Sequence, residues 1–129
     1  MFYVLDTHTL VWFFTKSKNL SKRVLNILLD KNSNLIIPTI VLAEIKYLHF
    51  KLKIPLSYEE IYFPIYMDKR CLIYPLDEEV VENLAPNLEL HDSIICSTAQ
   101  IVERKFKKET YVITKDKEIT KSKLVKVLW

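Results

Sequence analysis

The sequence contains no glycine at all. Walker A loops and Gly-rich dinucleotide fingerprints need a close backbone approach that only glycine permits, so nucleotide-cofactor chemistry of those kinds is excluded. Turns must be built from Asn, Asp, Ser, Lys and Pro instead, as in Asp30-Lys31-Asn32-Ser33-Asn34. Cysteine is scarce. Cys71 and Cys96 sit in apolar surroundings (RCLIY and SIICST) without CxxC or Cys/His ligand spacing, which points to buried, reduced thiols and away from a zinc site. Long hydrophobic runs are missing too, since nothing approaches the roughly eighteen apolar residues of a membrane span. The opening MFYVLDTH lacks the basic start of a signal peptide. A cytoplasmic protein without membrane contact is the expectation.

What is present suits one domain spanning residues 1–129. Half of the chain is hydrophobic, enough for a core without disulfides or a structural metal. The net charge of +3 is unevenly placed. Residues 1–100 carry 10 Lys/Arg against 12 Asp/Glu (−2), whereas residues 101–129 carry 9 against 4 (+5). A basic C-terminal quarter fits a phosphate-rich partner, and it equally fits a solvated lysine-rich surface.

Strands and helices alternate along the sequence. Strands are expected at Phe2 to Leu5, Leu35 to Ile37, Cys71 to Tyr74, Tyr111 to Thr114 and Leu124 to Leu128. Helices are expected at Thr9 to Phe14, Lys22 to Leu29, Ile40 to Lys51 with Thr39 as cap, and after Ser57, where Glu60 completes a capping box. Two more follow, Glu78 to Leu84 capped by Asp77 and a longer one opened by Asp92 and running to about Arg104. Strands joined by helices imply crossover connections, and hence an α/β/α sandwich around a mostly parallel five-stranded sheet. Ligands in such folds bind beyond the carboxyl ends of the strands.

Four acids draw attention on that scaffold. Asp6 directly follows the first strand, and Asp116 comes just after the fourth, so both should project over one sheet edge. Glu44 stacks with Ile40 and Leu48 at helical spacing, with Val41 and Tyr47 beside them, which places a carboxylate within an apolar stripe. A charge so placed is usually paired or metal-bound. Asp92 precedes the apolar helix containing Ile94, Ile95, Ala99 and Val102. Taken singly, each acid has a structural alternative: Asp6, Asp92 and Asp116 as helix caps, Glu44 in an ion pair with a lysine or at an edge position that reaches water. Taken together, they can form an oxygen-only cluster of the kind that suits Mg²⁺ or Mn²⁺.

The segments LDTHTLVWFF (5–14), IPTIVLAEI (37–45), NLELHDSIICSTAQ (87–100) and VITKDKEI (112–119) resemble PIN domains, most closely the VapC-type toxins of toxin–antitoxin pairs. The match runs in order over essentially the whole chain. The resemblance implies a Mg²⁺- or Mn²⁺-dependent endoribonuclease, commonly dimeric and silenced by a cognate antitoxin. It places the family's four acids on Asp6, Glu44, Asp92 and Asp116, and its supporting polar positions on Thr7 and Thr114. Lys115, Lys117 and Lys121 are then the expected contacts to the RNA backbone. His8 and His91 flank acids and are read as buried or hydrogen-bonded, with substrate contact as the alternative, and Trp12, Phe13 and Phe14 are read as core or dimer interface rather than base-stacking platforms. One departure is LAEI, where many relatives carry a tryptophan before the glutamate.

Other acidic or metal-binding folds fit less well. A haloacid-dehalogenase phosphatase needs a second aspartate where His8 stands, and a receiver domain needs adjacent acids after its first strand. A metal phosphohydrolase of the HD type needs further histidines in an all-helical domain. The rival from another class is a PIN-fold binding module without catalysis.

Overall fold

The computed structural model describes residues Met1–Trp129. Five strands, β1 (Phe2–Leu5), β2 (Asn34–Pro38), β3 (Cys71–Tyr74), β4 (Thr110–Ile113) and β5 (Lys126–Leu128), form one sheet in the order β3-β2-β1-β4-β5. Every pairing is parallel. Seven helices connect them: α1 (Thr7–Phe14), α2 (Lys22–Leu29), α3 (Thr39–Phe50), α4 (Tyr58–Met67), α5 (Glu78–Glu82), α6 (Leu90–Phe106) and α7 (Lys117–Ser122). The chain steps outward from β1 to β3, returns across the sheet to β4, and steps outward the other way to β5. Right-handed crossovers then place α1 to α4 over one face and α5 to α7 over the other. The packing of α1 and α4 on α3, and of α5 and α7 on α6, agrees with that.

Burial explains the strand sequences. Val4-Leu5, Ile36-Ile37 and Val112-Ile113 are consecutive residues, all essentially inaccessible to solvent. Neighbours along a strand face opposite ways, so both faces of the sheet must be covered, as a parallel sheet requires. α6 lies close against this surface because its middle, Ser93 to Ala99, is made of small and β-branched residues and is buried throughout. Its hydroxyls are satisfied within the protein: Ser93 Oγ donates to Ala85 O (3.0 Å) and Ser97 Oγ to Val80 O (2.7 Å).

Several boundaries differ from the sequence reading. α1 starts at Thr7, because Asp6 already caps it. Pro38, not Thr39, occupies the N-cap of α3, and the Thr39 hydroxyl instead accepts from Leu76 N–H (3.1 Å), tying the helix start to the segment after β3. α6 starts two residues before Asp92. Cys96 is buried as expected, whereas Cys71 is half-buried. Burial pushes both thiols up, to about 12 and about 11, which keeps them protonated and unreactive.

Without glycine, the left-handed positions fall to Lys16, Leu52, Lys107 and Lys123, with φ of 53–56°. Lys16 and Leu52 sit just past α1 and α3 in Schellman turns. Ser17 N–H reaches Trp12 O (2.9 Å) and Lys53 N–H reaches Leu48 O (2.9 Å).

One buried hydroxyl fixes α1 on the sheet: Thr9 Oγ1 donates to Ile113 O at the end of β4 (2.9 Å). Replacing Thr9 with Val keeps the shape and removes that bond, so Thr9→Val should cost about 1–2 kcal/mol in urea unfolding at an unchanged m-value.

Candidate active site

The strand order reverses between β1 and β4, and that is where a doubly wound sheet opens its ligand crevice. Leu5 pairs with Ile113, so the next residues, Asp6 and Thr114, leave the sheet side by side. A cleft of about 480 Å³ opens there. Asp6, Glu44, Asp92 and Asp116 all line it, with Thr7, Lys115 and Lys117.

Asp6 is buried and does two jobs. Its Oδ1 caps α1 by accepting Thr9 N–H (2.8 Å), and its Oδ2 accepts the Thr114 hydroxyl. Burial raises its pKa, and the bonds from Thr114 and Thr9 pull partly the other way. Asp116 caps α7, its Oδ1 accepting Ile119 N–H (2.9 Å), while its own N–H donates to Thr114 Oγ1 (3.0 Å). Thr114 therefore bridges the two acids. The cap role and the cleft role coexist in both aspartates, since one carboxylate oxygen suffices for a cap.

Glu44 is presented by the middle of α3. The buried face of that helix is Val41, Leu42 and Ile45, while Ile40 and Leu48 are half-buried and Tyr47 is exposed. The carboxylate thus sits on the flank of the apolar stripe, the edge position that the sequence left open. There it accepts the hydroxyl of Thr7 through Oε1, and Oε2 lies 3.8 Å from His91 Nδ1. The two threonines each donate to one acid of the cluster.

Asp92 is the third residue of α6 rather than its cap. Unlike the other three acids, it receives no protein hydrogen bond. Burial, then Asp116, Glu89, Asp6 and Glu44, raise its pKa to about 6. The positive end of α6 offsets only part of that repulsion.

Sequence reasoning passed over Glu89, a fifth acid in the cleft. It occupies the N-cap position of α6 without a capping bond from its side chain. Its spacing three residues before Asp92 was the available signal, because that spacing puts both acids on one side of a helix start. His8 and His91 are exposed and line the cleft, which overturns burial for both and leaves the substrate-facing alternative standing. The histidine with a buried, unpartnered nitrogen is His49, through Nδ1. Lys121 lies outside the cleft, in a neighbouring hollow with Pro86, Asn87 and Leu88, because α7 turns it away from Asp116.

Five acids against Lys115 and Lys117 leave the cleft with a formal charge of −3 (−5 plus +2, histidines neutral). No three of its acidic or histidine side chains close into a ready-made metal cage. Mg²⁺ does not need one, since it is usually held by one or two carboxylates and keeps several waters. The oxygen-only donor set and the unrelieved repulsion on Asp92 fit such a cation.

The family model for the PIN domain matches residues 3–123. The chain belongs to the PIN domain family. Solved structures with the same fold include the VapBC2 complex of Rickettsia felis bound to a DNA fragment from its promoter. That match has a TM-score of 0.64 and 21% identity, over 99% of this chain and 98% of that one. FitAB bound to an IR36 DNA fragment is similar, with a TM-score of 0.63 and 19% identity over 98% and 93% of the chains. A search of curated proteins found no match. At these identities the structural likenesses establish the PIN fold and its all-parallel five-stranded sheet.

A carboxyl whose folded pKa lies above its unfolded value contributes stability that is present at low pH and lost as pH rises through the folded value. For Asp92 that loss falls between about pH 4 and pH 6. Metal-free Asp92→Asn should therefore be more stable than the parent at pH 7, by about 1 kcal/mol once solvent screening of this half-buried group is allowed for. The difference should vanish near pH 4. Chemical denaturation at the two pH values in a chelator measures it.

Proposed function

We propose that this PIN domain is a metal-dependent endoribonuclease and the toxin of a VapBC-type toxin–antitoxin pair. The observation that carries the reading is the meeting of Asp6, Glu44, Asp92 and Asp116 in one cleft at the switch point of the sheet. Asp6, Glu44, Asp92 and Asp116 are the residues that would hold Mg²⁺ or Mn²⁺. When bound, such an ion supplies Lewis-acid stabilisation of phosphoryl charge and a more acidic water.

The remaining roles belong to the chain itself. Thr7 and Thr114 fix Glu44 and Asp6 by donating to them, so two carboxylates keep their aim without reorganisation. A carboxylate of the cluster accepts the proton of the attacking water. Lys115 and Lys117, exposed at the rim, pair with backbone phosphates. Attack by water rather than by the RNA 2′-hydroxyl leaves 5′-phosphate and 3′-hydroxyl ends.

Two observations support a protein partner. The structural neighbours were solved as VapBC and FitAB complexes. Tyr47, Phe50, Leu52, Phe63, Tyr66 and Met67 on and beside α3 and α4 are all more than half exposed, which is apolar surface that a homodimer contact or an antitoxin could cover. No helix is long and apolar enough to cross a membrane.

A second reading, a PIN-fold binding module without catalysis that acts through a protein partner, is favoured by the exposed apolar residues on and beside α3 and α4. Two measurements separate them. Purified protein with Mg²⁺ or Mn²⁺ should cut total cellular RNA into discrete fragments bearing 5′-phosphates, and Asp92→Asn should slow cutting about a hundredfold or more. Cyclic 2′,3′-phosphate ends would sink the hydrolytic route. In thermal melts, millimolar Mn²⁺ should raise the Tm of the parent and leave Asp6→Asn unmoved. Intact RNA together with no Mn²⁺ shift points to the binding module.

A further inference from the structure

All five strands run the same way, so their starts lie together at the end of the sheet opposite the cleft. The segments that lead into β2, β3 and β4 meet there: residues 30–33, 68–70 and 104–109. Leu35 N–H donates to Arg70 O and Phe2 N–H to Glu109 O (both 2.8 Å), which holds two of them on the strand ends. The three segments carry 7 Lys/Arg against 3 Asp/Glu, a formal +4 where the cleft carries −3. Arg70 is paired with Asp68, Lys105 with Glu79, and Lys126 is shared by Glu103 and Glu109. Lys31, Lys69, Arg104, Lys107 and Lys108 are exposed and form no ion pair. Basic residues suit helix C-termini, and α2, α4 and α6 all end here, each bringing about half a negative charge. That demand, about one and a half charges in all, falls well short of the unpaired cations. Arg70 already serves α2, donating to Leu28 O (2.8 Å) and Asp30 O (2.7 Å).

We propose that this end of the sheet is a docking surface for the phosphodiester backbone of nucleic acid, separate from the cleft. The strand order sets the three segments in a row about 14 Å wide, three strand spacings from β3 to β4. Unpaired ammonium groups in such a row meet phosphates as point charges and read no base. Composition argues against other anionic partners. All of the unpaired cations but Arg104 are lysines, a residue depleted at protein interfaces. A membrane-binding surface inserts apolar side chains among its cations. Phe106, the sole apolar residue of the three segments, is instead packed edge-on against Phe2, with centroids 5.3 Å apart at 86°. Asp92 and Arg104 stand about 18 Å apart along α6, so a strand docked here leaves the cleft open. The inference does not rest on the ribonuclease reading.

In a chelator the cleft keeps its negative charge and repels phosphate, so binding measured there reports on the opposite end. Full-length protein in EDTA should bind a labelled DNA duplex of about twenty base pairs, read by anisotropy, and an RNA duplex of the same sequence about equally. On the DNA duplex, log K against log salt should fall with a slope of about −4 to −5, the value for about five phosphate contacts. Lys107→Gln/Lys108→Gln should flatten that slope by about 2 and weaken binding about 10- to 200-fold at about 50 mM salt. Lys22→Gln/Arg23→Gln removes the same charge from the start of α2, about 10 Å along that helix from this end, and should keep the parent slope. All four side chains are exposed, so both variants should melt with the parent. Equal losses in the two variants overturn the surface and leave only diffuse charge. Failure of the parent to bind either duplex at low salt overturns it as well. A preference of about tenfold or more for RNA or for DNA overturns a surface that reads phosphates alone. Binding to phosphatidylserine vesicles without binding to either duplex overturns it too, and assigns the face to a membrane.

Discussion

Leu5 and Ile113 are partners in adjacent parallel strands, and Thr114 then donates its hydroxyl to Asp6 while accepting Asp116 N–H. The arrangement of the cleft depends on this contact. It joins the ends of the two strands on either side of the switch point and sets the directions of α1 and α7, each capped by one of the bridged acids. Thr7 repeats the device on the other side by donating to Glu44, which ties α1 to α3. Hydroxyls thus do what a lysine would do in an ordinary ion pair, without neutralising the charge.

Asp92 shows what remains. With no donor of its own, it bears first its burial and then its neighbours' charge, and its carboxyl rises to about 6. A cleft of formal charge −3 repels phosphates, so the rim lysines alone do not make it an RNA site. One divalent ion would bring the formal charge to −1 and set a positive centre among the carboxylates for a phosphodiester to meet. Under the proposed function, structural cost and chemical use would fall on one residue, the usual relation between stability and function in an active site.

Much of this was readable beforehand, and particular residues show why. Consecutive Val/Ile/Leu pairs bounded by turn residues marked the buried parallel strands, and an acid directly after a strand needs no packing knowledge to be placed at the sheet edge. Glu44 is different. Helical periodicity identifies its neighbours but not which neighbours face the sheet, so the stripe Ile40-Glu44-Leu48 looked buried when Val41, Leu42 and Ile45 are. Asp92 looked like a cap because Asp is a common cap. The helix begins two residues earlier, since Leu90 and His91 already have helical partners. Glu89 escaped because its place in the cleft arises from elements far apart in sequence meeting at one rim. Lys121 failed in the opposite sense, because closeness in sequence to Asp116 did not survive the short turn of α7.

The four left-handed residues carry a consequence for how the protein can be improved. L-residues in that region cost about 1–2 kcal/mol each, and Lys16, Leu52, Lys107 and Lys123 all bear it at or just past helix ends. Glycine would remove the steric part and return about 0.4–1 kcal/mol through a more disordered unfolded chain. The margin left at each position is therefore up to about 1 kcal/mol. None of the four lines the cleft. The protein thus holds a reserve of thermal tolerance at its helix ends, open to engineering and separate from the residues that line the cleft.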